Sequence, residues 1–378
     1  MHIAILGRNV RPPWNEAVKN MAYELGYQLA ALGHNVHLIT TNSDGLKTDQ
    51  KNLELLDAPS QGFSKAALKI LLKLKTSNSL DVVHVQNLAI HRSLTPLISA
   101  LRRRGNLPIV AYCCQLPSLS FHNWIDVLRK NPSEAFSSKL GMLAPAFTAR
   151  WSMKIANKAV ASSHFIGAEL ARFLPKDRVE VVPPFLRSDR LTSRQRTSSE
   201  GNGYPQVLYL GSHKALRGEE DFLLAMSLLK KEYPTIKGIA VTPHPLPRRI
   251  ESMVRNLGLE GRISFPPRNI PLDVLSLIES SDLYMFTGLS PVGSIDPPLT
   301  IVESLILGTP VASYDTGGIK EVLDENNLVP YQDYVALAKT ASEILRDHAP
   351  RKPRPDLLAT FGSENAAKRF EHIYQELI

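Results

Sequence analysis

Short apolar runs alternate with segments of helical period along the whole chain, and the alternation breaks only once. A chain of this kind folds as parallel strands covered by helices on both faces. The pattern predicts strands at 2–6, 36–40, 82–85, 109–113, 159–161 and 179–182. After the first strand, Val18, Met21, Ala22, Leu25 and Leu29 follow the i, i+3, i+4 spacing of a buried helix face, and Gly33 is placed to end that helix. The break falls at residues 187–206, a polar stretch rich in Ser, Arg and Gly with Leu191 as its one aliphatic residue before Val207. It reads as a linker. Beyond it the pattern restarts, with strands predicted at 207–210, 238–241, 263–265, 283–286 and 310–313. The expected fold is α/β: two Rossmann-like, doubly wound parallel-sheet domains facing a cleft. Ligands of such sheets bind at the carboxyl ends of the strands, so the cleft is the expected site.

The length of 378 residues agrees with two domains at about 150 residues each. No run approaches the roughly 20 apolar residues that cross a bilayer, and the N-terminus leads directly into a strand, so no signal peptide is expected. The two cysteines, Cys113 and Cys114, are adjacent and cannot staple distant parts of the fold, which suits a reducing cytosol. Net charge is +8, but its distribution is uneven: residues 1–186 hold 22 Lys and Arg against 12 Asp and Glu, whereas residues 187–378 hold 22 against 24. The whole surplus lies in the first half and points to an anionic partner there.

Familiar nucleotide motifs are missing. The first strand ends in Leu6-Gly7-Arg8-Asn9 with no G-x-G-x-x-G, and no G-x-x-x-x-G-K-[ST] occurs. The histidines, among them His84, His122 and His164, show no metal-ligand spacing. The second half is more informative. Gly211 follows a strand and would let a ligand approach the backbone, while Lys214 and Arg217 offer charge to a phosphate; the same residues also fit a solvated surface loop. Further on, Asp296-Pro297-Pro298 stiffens a loop and Leu299-Thr300 opens a helix with Glu303 in its first turns. Free amides at such a helix start form an anion site suited to a diphosphate. Glu303 could accept hydroxyl protons from a ribose, or could be an ordinary Glu favoured by the helix dipole. Thr316-Gly317-Gly318 supplies a second glycine-rich turn before Glu321.

These stretches carry a resemblance. LYLGSHKALRG, LGLEGRISFPP, SSDLYMF, PPLTIVESLILGTPVASYDTGGIKEVL and NNLVPYQDYVALAKTASEIL, in this order across 207–345, resemble the nucleotide-binding domain of the GT-B glycosyltransferases. The likeness is to the large retaining family four, also called glycosyl transferases group 1. LAALGHNVHLIT, DVVHVQN, ASSHF and VEVVPPFL extend it more weakly into the first half, and FGSENAAKRFEHIYQELI is similar to the family's closing helix. The resemblance implies an acceptor-side domain over 1–186, a linker over 187–206, a nucleotide-sugar domain over 207–350, and a C-terminal helix over 351–378 that crosses back to the first domain. It implies that Arg217 contacts the donor diphosphate, that Glu303 holds the ribose, and that the amides of Leu299 and Thr300 face the phosphates. Gly211, Ser212, Lys214, Pro298, Gly317 and Gly318 complete the implied donor site. In the family's E-x7-E element the first glutamate falls on Ile295, with Asp296 one residue later. Arg217, Glu303 and Asp296 are thus the expected catalytic groups. Cys114 stands where many members place a histidine, and Trp14-Asn15-Glu16 replaces the usual Gly-Gly loop. Asn15, Glu16, Cys114 and His122 are the acceptor-side candidates.

The implied reaction transfers a sugar from a nucleoside-diphosphate sugar to a hydroxyl acceptor with retention at the anomeric carbon. No cofactor or metal is implied, because cations and helix dipoles neutralise the leaving diphosphate. A nucleotide-sugar epimerase, a sugar phosphorylase and a weakly active sugar-nucleotide-binding subunit are the competing readings. In the first half, Lys65, Lys69 and Lys73 lie four apart, Arg102, Arg103 and Arg104 cluster, and Phe121, Trp124, Phe136, Phe147 and Trp151 alternate with Arg129, Lys130, Arg150 and Lys154. Such a surface suits anionic lipid headgroups and a lipid-linked or phosphorylated acceptor at the cytosolic membrane face. The same residues fit a solvated helix face over core aromatics. Nucleic acid is the less expected partner.

Overall fold

A computed structural model gives the fold. It describes the chain except residues 13, 15, 44–45, 47, 78, 87–93, 106, 117–149, 193–203, 243–244, 267–271, 291, 293 and 348–351, and the side chains of 94, 95, 104, 105 and 192. The first sheet contains β1 (His2–Leu6), β2 (Asn35–Thr40), β3 (Leu53–Asp57), β4 (Val82–Val85), β5 (Ile109–Cys113), β6 (Lys158–Ala161) and β7 (Val179–Val181). Their order is β3-β2-β1-β4-β5-β6-β7. The second sheet contains β8 (Gln206–Leu210), β9 (Lys237–Val241), β10 (Ile263–Ser264), β11 (Leu283–Phe286), β12 (Val311–Tyr314) and β13 (Leu328–Val329), in the order β10-β9-β8-β11-β12-β13. Every pairing between these strands is parallel. Parallel strands covered on both faces have no solvent side, which is why β4, β5, β11 and β12 are buried at every position.

Twelve helices accompany the sheets among the described residues. They are α1 (Ala17–Ala31), α2 (Phe63–Thr76), α3 (Leu94–Gly105), α4 (His164–Ala171), α5 (Asp189–Thr192), α6 (Glu219–Glu232), α7 (Arg248–Asn256), α8 (Val274–Ser280), α9 (Leu299–Leu307), α10 (Tyr334–Arg346), α11 (Leu358–Phe361) and α12 (Ser363–Gln375). Gly33 follows α1 at φ +91, the left-handed conformation expected just past a helix end. The predicted strands recur within one or two residues. Strands β3 and β13 went unforeseen, and α5 formed inside the polar stretch that read as linker.

Each sheet has a core on one face. Ala67, Leu71 and Leu101 pack under the first, and Phe222, Met226 and Leu337 under the second. A third cluster is continuous between the halves, joining Ile3, Leu25 and Phe370 to Leu208, Ile301 and Phe361. Helix α12 packs on α1, and the Tyr374 hydroxyl meets His84 Nδ1 at 2.8 Å inside the first half. The chain's last helix thus returns to its first sheet. The halves also join through the Leu186 amide, which donates to the Phe361 carbonyl at 2.8 Å, and through an isolated bridge between Leu116 and Val292.

Candidate functional site

In the second sheet the strand order reverses between β8 and β11, and several of the predicted residues gather around the ends of these strands. Gly211 follows β8. A Cβ there would lie 2.1 Å from the Tyr209 hydroxyl, which itself donates to the Arg217 carbonyl at 3.1 Å. The glycine therefore makes room for the tyrosine that holds the Arg217 backbone, besides lining the cleft described below. Arg217 ends a 3-10 turn, Ala215–Arg217, closed by Gly218 at φ +68. The Thr287 hydroxyl, just beyond β11, also donates to the Arg217 carbonyl, at 3.3 Å. The guanidinium is half-buried near Tyr209 and Tyr284, and burial pulls its pKa below the usual arginine value while the two phenols oppose that pull. Even so, a guanidinium stays charged at neutral pH.

Helix α9 starts after Pro298, which offers no side-chain cap, so the amides of Leu299 and Thr300 belong to the first turn that a helix leaves without internal acceptors. The Thr300 hydroxyl pairs with the Tyr284 hydroxyl at 2.9 Å. Tyr284 is buried and feels Arg217 and Glu303 with opposite sign, which places both charges near one phenol. Glu303 lies one turn inside the helix and is half-buried.

A cleft of about 430 Å³ joins the halves. From the second half it takes Leu210 and Gly211, Val241, Leu272 to Leu275, and Leu299, Thr300 and Glu303. The first half contributes Trp14, Ala17, Asn20, Tyr23 and Glu24 around α1, then Phe185 and Leu186, and the stretch after them adds Arg187 and Arg190. The sequence reading named Gly211, Leu299, Thr300 and Glu303 of the second half, and Trp14 of the first. It missed the rest of the facing wall. Glu24 was hidden because α1 reads as one amphipathic helix, and Arg187 and Arg190 because they sit in a stretch that reads as linker. Glu24 is 8% exposed, and burial pushes its carboxyl up to about 7, with Asp189 and Glu364 adding to the rise and Arg187 and Arg190 opposing it.

Other predicted residues lie elsewhere. Lys214 is exposed and Ser212 half-buried on the loop before Arg217, and neither lines the cleft. Asp296 is not a cleft acid: it is 1% exposed, and its carboxylate accepts from the Gly318 amide at 2.8 Å and from the Ser163 hydroxyl. Burial pushes that carboxyl up to about 6 against the pull of these two bonds. Gly317, at φ +62, and Gly318 wrap the same carboxylate, and a Cβ on Gly317 would lie 2.3 Å from Asp296 Oδ1. Their glycine character thus answers to Asp296 rather than to an open phosphate site. Cys114 is fully buried, and its thiol is pushed well above the ordinary range by burial. A nucleophile or acid at an acceptor needs access that this side chain lacks. His84 is also buried, bonded to Gln86 and Tyr374, and held down to about 4 by burial. Glu16 is exposed at the start of α1, whereas Asn15 and His122 lie outside the described residues, as does most of the aromatic and basic stretch after residue 116. Among the described residues no group of three His, Cys, Asp or Glu side chains is arranged to hold a metal ion, and no helix is long and apolar enough to cross a membrane.

Comparison with known proteins agrees with this fold. The family described as Glycosyltransferase Family 4 matches residues 18–190, and the family described as Glycosyl transferases group 1 matches residues 192–357. A 2-deoxystreptamine N-acetyl-D-glucosaminyltransferase of Streptomyces fradiae is 24% identical over 244 residues, a match covering 59% of this chain and 56% of that protein. An N-acetyl-alpha-D-glucosaminyl L-malate synthase of Bacillus anthracis is 22% identical over 379 residues, covering 94% of this chain and 92% of the other. Among solved structures, sucrose-phosphate synthase of Thermosynechococcus elongatus superposes with a TM-score of 0.72 at 19% identity, covering 99% of this chain and 98% of that one. Anabaena HepE, solved in complex with UDP and glucose, superposes with a TM-score of 0.68 at 14% identity over 99% of both chains. Two parallel sheets, a cleft between them and a family match to each half make this chain a GT-B glycosyltransferase of the family-four, group 1 type.

Proposed function

We propose that the chain transfers a sugar from a nucleoside-diphosphate sugar to a hydroxyl acceptor with retention of anomeric configuration. The observation that carries this reading is the second-half wall of the cleft, where the α9 amides and Glu303 lie together. A helix N-terminus attracts a diphosphate, and a carboxylate one turn further in can accept from vicinal ribose hydroxyls. Neighbours of this fold supply the nucleotide class, since HepE is solved with UDP and with UDP-glucose. Arg217, fixed at the same strand ends, adds the cation that a departing diphosphate requires. The first-half wall, with Trp14, Tyr23 and Arg187, faces the same volume and is where the acceptor or the outer part of the donor would rest. With cations and helix dipole neutralising the leaving group, the reaction requires no metal, and the chain acts in the cytosol, at the membrane face when the acceptor is lipid-linked.

The test is a panel of UDP-, GDP- and ADP-sugars screened by thermal shift and then for transfer. Binding raises the melting point, since a ligand at 100 times its Kd adds about 2.7 kcal/mol. Arg217→Ala is expected to cost about 2–4 kcal/mol in the barrier, the range for one stabilising donor at a developing charge. Full turnover by that variant would remove Arg217 from the site. The confinement of Asp296 between Ser163 and Gly318 favours one competing reading, a binding subunit with weak activity, because it leaves the donor sugar without that carboxylate. Tight nucleotide binding with no transfer to any acceptor would select that reading, and a product formed from the donor alone would select an epimerase.

A further inference from the structure

Several polar bonds between the halves gather around the loop that holds Asp296, and the proposed reaction uses none of them. From the first half come the Cys114 carbonyl after β5, the hydroxyls of Ser162 and Ser163 after β6, and the amides of His164 and Phe165 that open α4. The second half contributes Asp296 and Glu321. The Asp296 amide donates to the Cys114 carbonyl at 2.9 Å, Ser162 donates to the Asp296 carbonyl, and Ser163 donates to its carboxylate. Each Glu321 oxygen accepts one α4 amide, from His164 and from Phe165, at 3.0 Å. Ser163 meanwhile caps α4, accepting from the Ile166 amide at 3.0 Å.

Burying a carboxylate is costly unless hydrogen bonds replace its water. Half of those replacing bonds around Asp296 come from the other domain, so separating the domains would strip them away and would also uncover the α4 amides. The loop that holds Asp296 runs directly into Pro297, Pro298 and the α9 start. The element that presents Leu299, Thr300 and Glu303 to the cleft is therefore anchored, three residues upstream, to the opposite domain.

We propose that Asp296 and Glu321 are positioning residues, a two-carboxylate tie that holds the halves in the arrangement where the α9 start faces Glu24 and Arg187 across the cleft. Breaking the tie lets the halves separate and lowers turnover without removing any group that touches the donor; only this kinetic consequence rests on the glycosyl-transfer reading.

Both native cysteines are buried, so thiol-directed spin labels introduced by Lys69→Cys on α2 and Lys339→Cys on α10 report the separation of the halves. The parent protein is expected to show one distance population. Ser163→Ala combined with Glu321→Gln, and separately Asp296→Ala, should add a longer population. Asp296→Asn, which keeps an acceptor for Gly318 and offers a donor to Ser163 Oγ, should restore the parent distribution. In transfer assays the double variant should lose at least tenfold in kcat with KM for the nucleotide sugar within threefold. If Asp296→Ala fails to fold, the double variant decides. A folded double variant with the parent's distance distribution overturns the tie, and an opened one that keeps the parent's kcat overturns the positioning role drawn from it. Calorimetry with UDP, GDP and ADP separates the two readings: a parent protein that binds none of the three refutes the nucleotide proposal, while the label distances still test the tie.

Discussion

At Gly218 the backbone has φ +68, and a Cβ would fall 1.9 Å from the Thr287 carbonyl oxygen. Both the conformation and the contact exclude a side chain there. Gly218→Ala should therefore destabilise the protein by about 1–3 kcal/mol, the cost of a strained backbone position, and should weaken UDP binding through displacement of Arg217; urea denaturation and calorimetry read the two effects. Glu24 gives a prediction in pH. Its folded pKa, about 7, lies above the ordinary 4.5, so the folded state holds the proton more tightly than the unfolded chain. The associated stability is present below about pH 4.5 and is lost as pH rises through 7. Glu24→Gln should abolish that dependence and raise stability at pH 8 by about 1–3 kcal/mol, from the energy of a pKa unit. Melting curves of both proteins between pH 5 and 8 check it; parallel curves would mean Glu24 is not buried as a charge. The sequence made some of these residues legible and others not. Arg217, Leu299, Thr300 and Glu303 announce themselves by a glycine, a proline pair and a helix start. The role of Asp296 depends on Ser163, 133 positions away, and no local pattern encodes that contact.

Element boundaries followed the same logic. Helix α9 was readable because an apolar run follows two prolines, and β11 because a strand buried on both faces is a continuous apolar run. Strand β3, with the burial of an edge, mixes Glu54 and Asp57 into Leu53–Asp57 and carries no such signature. Strand β13 is two residues long. Helix α5 is held by Leu191, buried against the shared core, in a stretch whose composition otherwise reads as linker. At this scale the surplus charge acquires a location. Lys65, Lys69 and Lys73 are exposed along α2, Arg102 and Arg103 are exposed on the adjacent α3, and neither helix carries an acidic residue. If this face meets anionic headgroups, each cation contributes about 1 kcal/mol near the surface. Lys65→Glu, Lys69→Glu and Lys73→Glu together should abolish sedimentation with phosphatidylserine vesicles at low salt and leave transfer to a soluble acceptor intact. Absence of binding by the parent protein would end the membrane proposal.

On the scale of the molecule, the two halves are distinct as sheets but not as cores. One apolar cluster runs from Ile3 and Leu25 through Phe370 to Ile301 and Phe361, so exposing it on one side leaves the other side's surface uncovered. The closing helix is part of that continuity. Phe370 is fully buried, edge-on to His84 with centroids 4.9 Å apart and to Tyr112 at 5.2 Å. With Gln86 Oε1 as acceptor, His84 Nε2 carries the proton and Nδ1 is left to accept the Tyr374 hydroxyl. A helix fixed by such contacts to the first sheet, while α11 ahead of it packs into the shared cluster, makes the halves interdependent. Calorimetry should then show one cooperative transition. Phe370→Ala should lower stability by about 3–5 kcal/mol, the range for a large aromatic removed from a core, and should move that single transition as a whole. A new low-temperature step with the main transition unmoved would show that α12 detaches alone, and that the continuity between the halves lies in the Phe185–Leu191 segment instead.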